Sequence, residues 1–216
     1  MKFAEEVERR RQKMAEVGQV LTAEGVRFAQ VIYPDLSGTA RTKIAPFAKS
    51  LAADGETLNA ILGAITHGDG EPSGDVAFEN AFAGDENGYP NIRSLADPES
   101  AVKLGWHPQT ASIFLNVFDA NENPWAADLR ALVSRLESEL SVLGFRAKFA
   151  MEYEFCLFHA DAELLSQGRF SELKPFGFGP TNYDLVRAPG FDTFVEEFID
   201  RMGSIGIGIA SFMSEY

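Results

Sequence analysis

The chain has 216 residues, 45% of them hydrophobic and 18 of them phenylalanine, which suits one large domain or two small ones and excludes global disorder. A formal charge of −13 argues against non-specific nucleic-acid binding, and the one basic run, VERRRQK at 7–13, sits among glutamates and reads as a solvated helix face. The lone Cys156 excludes an internal disulfide and a CxxC zinc motif. No apolar run reaches membrane-spanning length, so the chain reads as a soluble, cytoplasmic protein.

In chain order, residues 4 to 24 predict a helix with Val7, Met14, Val17, Val20 and Leu21 on its apolar face. Two β-rich runs, 26 to 33 and 39 to 47, flank PDLSG, whose Pro, Asp, Ser and Gly mark a turn, so a hairpin is expected. The stretch 67 to 90 is dense in Gly, Asp, Asn and Pro and reads as a long loop. SIFLNVF, 112 to 118, predicts a strand, and the composition change at DANENPWAAD suggests a linker between two units. A helix follows, with Leu129, Leu132, Val133, Leu136, Leu140 and Leu143 on one face, Asp128 as its N-cap and Gly144 beyond its end. A second helix over 191 to 203 presents Phe191, Phe194, Val195, Phe198 and Met202, and leads into IGIGIASFMSEY, read as a tightly packed strand.

FAMEYEFCLF, 149 to 158, carries the chemistry. As a strand it places Phe149, Met151, Tyr153, Phe155 and Leu157 on a core face, and Glu152 and Glu154 on the other with Cys156, a small core residue in this reading. The two glutamate β-carbons would then stand roughly 6.5–7 Å apart, two residues of strand rise. Like charges this close on an apolar strand call for a cation. The helix–strand–helix–strand order would bring Glu215 near them, giving a hard-oxygen site suited to Mg²⁺ or Mn²⁺ and to ATP-dependent phosphoryl transfer. The pattern alone leaves open a strand face that simply emerges into solvent; spacing also permits a glycosidase pair, without other support. Phosphate-loop, dinucleotide, nucleophile-elbow and zinc-protease motifs are all missing from the sequence, and His67, His107 and His159 are scattered.

GFRAKFAMEYEFCLF is similar to a strand of the form G-x-E-x-E-F-x-L-F in the glutamine synthetase family, where both glutamates bind divalent ions. The resemblance assigns that role to Glu152 and Glu154. IGIGIASFMSEY resembles the approach to E-x-x-x-G-Q-x-E, and assigns a further metal ligand to Glu215. DLSGTARTKIAP resembles the family's β-grasp hairpin through Asp35, Gly38, Arg41, Lys43 and Pro46, and residues 95 to 131 resemble its passage into the catalytic domain. The resemblance implies an α+β fold, with an amino-terminal β-grasp domain at 1–119 and the first part of a glutamine synthetase-type catalytic α/β domain at 120–216. It also implies Mg²⁺ or Mn²⁺, ATP as co-substrate, and a homo-oligomeric ring with active sites between subunits. Glutamate and ammonium or an organic amine are the implied substrates.

Two departures qualify the match. Where classical members carry F-D-G-S-S, this chain has AITHGDGEP, with Asp69 a loose positional counterpart, which leans toward ligases that join glutamate to organic amines. The sequence also stops at Tyr216 inside the second signature, so a fragment inactive by itself is expected. The competing expectation is a non-catalytic truncated homologue that serves as an oligomerisation or interaction partner.

Overall fold

Phe28–Pro34 (β1) and Ala40–Pro46 (β2) form the expected hairpin, antiparallel, with Phe28 opposite Pro46 and Pro34 opposite Ala40. The structure, a computed structural model, describes residues 1–36, 38–51, 60–61, 91–176 and 192–213. His67, Asp69 and the expected loop at 67–90, most of the PFGFGP turn, Phe191 and Glu215 lie outside the described residues.

Asp35 organises the hairpin turn. Its fully buried carboxylate accepts the Thr39 N–H on Oδ1 at 2.9 Å and Arg41 Nε on Oδ2 at 2.8 Å. The turn closes through Asp35 N–H to the Thr39 carbonyl and Gly38 N–H to the Asp35 carbonyl. Gly38 has φ +83°, a conformation that any side chain would strain.

The hairpin joins a mixed sheet. His107–Phe118 (β6) runs parallel to β1, with Ala29 beside Ala111 and Val31 beside Ile113. Asn91–Ala96 (β4) and Val102–Leu104 (β5) pair antiparallel with successive halves of β6, and Ala60–Ile61 (β3) pairs with β4. The order is β2-β1-β6-β4-β3, with β5 also on β6. The strand expected over 112–118 is therefore longer, because β5 pairs with it from His107 and β1 from Thr110. Strand β5 is too short for its pattern to announce it, and β4 lacks a clean alternation, with Ser94, Leu95 and Ala96 all buried.

Helix Phe3–Ala23 (α1) contributes Phe3, Val7, Met14 and Leu21 to the same core as Val31, Leu95, Ile113 and Leu115. Phe3 meets Phe118 edge to face at 5.1 Å. Val20, expected on the apolar face, is exposed. The expected solvated face of the basic run also needs correction, since it holds for Arg9 and Arg11 but not for Arg10. Arg10 continues the inward row Phe3, Val7, Arg10, Met14, and its guanidinium donates to the Ala96 carbonyl and Asn116 Oδ1, each at 2.9 Å. Buried Glu6 neutralises it from one turn earlier, accepting Arg10 Nε at 2.8 Å and Arg9 Nε at 2.9 Å. These bonds hold the Glu6 carboxyl well below its ordinary value, at about 2, with Arg9 the largest cause, burial opposing it and Arg10 adding to it.

Phe47–Ser50 (α2) extends β2 by one helical turn. DANENPWAAD, read from composition as a linker, folds as an ordered turn: Asp119 Oδ1 accepts the N–H groups of Asn121 and Asn123, both at 2.8 Å, and Trp125 is buried. Helix Leu129–Val142 (α3) begins at Asp128, as its sequence predicts. The buried Asp128 carboxylate accepts the N–H groups of Arg130 and Ala131 on Oδ1, and Val117 N–H on Oδ2 at 2.9 Å, so one side chain caps the helix and ties it to β6. Gly144 follows the helix with φ +82°, and Phe145 N–H returns to the Leu140 carbonyl at 2.9 Å.

The chain forms two compact units, 1–147 and 148–216. The second contains helices Ala162–Ser166 (α4) and Asp192–Ser204 (α5). Among the described residues, no helix is long and apolar enough to cross a membrane.

Candidate functional site

Glu152 and Glu154 lie in the second unit, on a run that departs from the expected strand. Residues 149–157 form neither helix nor sheet ladder, and the intended core face is open: Phe149 is 91% and Met151 76% exposed. The reason is physical: a strand is defined by a neighbour that satisfies its N–H and C=O groups, and no described strand of this unit lies beside this run. Residues 207–213, the start of the second expected strand, are likewise without a ladder. Cys156, read as a core residue, is exposed for the same reason.

Aromatic side chains nevertheless bring the two runs together. The Phe155 ring lies 6.1 Å from Phe212 and 6.4 Å from Phe194 of α5, and Phe198 completes the cluster at 5.9 Å from Phe212. Phe194 also stacks on Phe198 one turn along the helix. The helical spacing of Phe194 and Phe198 was legible in sequence, and the element order led to the expectation that the two runs lie near each other; the ring contact of Phe155 with Phe212, 57 positions further on, was not foreseen. The residue beside Glu154 thus touches the run that leads toward Glu215.

The glutamate run ends in a clasp. Leu157 accepts the Phe176 N–H at 2.8 Å and His159 N–H donates to the Lys174 carbonyl at 2.9 Å, on either side of a bridge between Phe158 and Pro175. His159 is turned toward the Phe176 ring, 5.3 Å away, and His107 is an exposed strand end.

Glu152 and Glu154 are both exposed, and among the described residues neither has an ion-pair partner. Their carboxylates are hard-oxygen donors of the type that Mg²⁺ and Mn²⁺ prefer, so the residue types fit such ions. Among the described residues, no group of three or more His, Cys, Asp or Glu is gathered to hold a metal ion.

No protein-family model matches the chain. It is 23% identical over 135 residues to a glutamate–isopropylamine ligase of Pseudomonas sp, covering 62% of this chain and 29% of that protein. It is 22% identical over 135 residues to type-1 glutamine synthetase 2 of Dictyostelium discoideum, covering 62% of this chain and 26% of that one. The chain is glutamine synthetase-like. It therefore spans between a quarter and a third of the length of these curated relatives. The fold of this glutamine synthetase-like chain is matched by apo GmaS solved without ligand, at TM-score 0.59 and 15% identity over 88% of this chain and 39% of that one. The crystal structure of a novel glutamine synthase homolog matches at TM-score 0.56 and 14% identity, over 88% of this chain and 41% of that one. Both likenesses bear on the mixed helix-and-sheet fold.

Proposed function

We propose that the protein carrying these residues is a ligase that joins an amine to the γ-carboxylate of glutamate at the expense of ATP. In this reading, residues 1–119 are a β-grasp domain, in which Asp35, Arg41 and Lys43 shape the first hairpin. Residues 120–216 begin the catalytic domain. Glu152, Glu154 and Glu215 hold Mg²⁺ or Mn²⁺, which supplies charge neutralisation for phosphate oxygens. The glutamate γ-carboxylate oxygen attacks the terminal phosphorus of ATP, the bond to the β-phosphate oxygen breaks, and ADP leaves. The amine nitrogen then attacks the γ-carbonyl carbon, the bond to the phosphate oxygen breaks, the nitrogen loses a proton, and phosphate departs. The setting is the cytoplasm, and the assembly a ring of like subunits.

One observation carries this reading: the chain resembles a glutamate–isopropylamine ligase while holding two exposed glutamates, two positions apart, without a cationic partner among the described residues. The resemblance, together with the unfamiliar AITHGDGEP stretch, favours an organic amine over ammonium.

Phosphate release by the intact gene product, with ATP, glutamate and a panel of amines, tests the substrate. Release that requires glutamate and is faster with an alkylamine or aromatic amine than with ammonium is the expected result; a preference for ammonium would make it an ordinary glutamine synthetase. Glu152→Ala and Glu154→Ala should each weaken Mn²⁺ binding, measured by titration calorimetry, and lower turnover by about 10²–10³-fold, the scale of losing one electrostatic stabiliser of a transition state. Unchanged Mn²⁺ affinity in both variants would remove the metal assignment.

A further inference from the structure

We draw no further inference here: the strongest candidate, the partly exposed apolar face that Phe28, Ile32 and Ile44 share on the β1–β2 end of the sheet, carries nothing because nothing in the structure shows what covers it.

Discussion

At the scale of single residues, two buried carboxylates hold the first unit together by different means. Asp128 satisfies two helix N–H groups and one strand N–H at once. Asp128→Ala should therefore cost more than an ordinary cap, about 2–3 kcal/mol, because the Val117 N–H is left buried without its acceptor. Urea denaturation checks this, and Asp128→Asn, which keeps one acceptor oxygen, should retain part of the stability. Glu6 works through charge. Its folded value of about 2 lies below the ordinary 4.5, so its stabilisation is fully present above pH 4.5 and is lost as the pH falls toward 2. The midpoint of thermal unfolding should drop across that window, and Glu6→Gln should flatten the drop while lowering stability near neutral pH by about 1.5–3 kcal/mol. Asp128 was legible as a cap because capping is local chemistry, read from one residue and the helix behind it. Glu6 and Arg10 were hidden because a basic run among glutamates resembles a solvated face. Only the four-three spacing of Phe3, Val7, Arg10 and Met14 shows that Arg10 points inward.

At the scale of elements, the sequence told helices and hairpins from their own residues, while strands depended on company. Helix α3 starts and stops where Asp128 and Gly144 place its ends, and the β1–β2 hairpin turns where Asp35 and Gly38 close it. The run 149–157 has alternation as clear as any strand, yet alternation states which residues would share a face and not whether a neighbour is present. Its two glutamates were legible as charges two positions apart in an apolar run, and the openness of its apolar face was not. That openness is measurable through Cys156, which lies between Phe155 and Leu157 in the same run. In this 216-residue chain the thiol should react with Ellman's reagent within about an order of magnitude of its rate in denaturant, since access rather than burial then governs it. Strong protection would show that the run is covered by a strand. Helix α3 makes the same point in another form: its amphipathic pattern is sound, yet Val133, Leu136 and Leu143 remain exposed. Pattern fixes the apolar side of a helix, and packing alone decides whether that side is covered.

At the scale of the whole molecule, the two compact units owe their order to different balances. The first has a six-stranded sheet and a continuous core drawn from α1, α2, β1, β4 and β6. The second has short helices, an aromatic cluster, and no fully buried hydrophobic side chain among its described residues. Denaturant should therefore disturb the second unit first. Loss of amide protection in 158–176 and 192–204 should precede that of β1, β4 and β6, measured by hydrogen exchange. The clasp at Phe158 and Pro175 has an engineering consequence. Because the chain leaves and returns at hydrogen-bonded neighbours, the surface excursion between them forms a detachable cassette. A short Gly-Ser segment or a peptide tag inserted after Gly168, on the exposed turn beyond α4, should leave the clasp, the Phe155 cluster and the first unit's folding unchanged. Such a graft would give a handle for immobilisation or labelling without touching either glutamate.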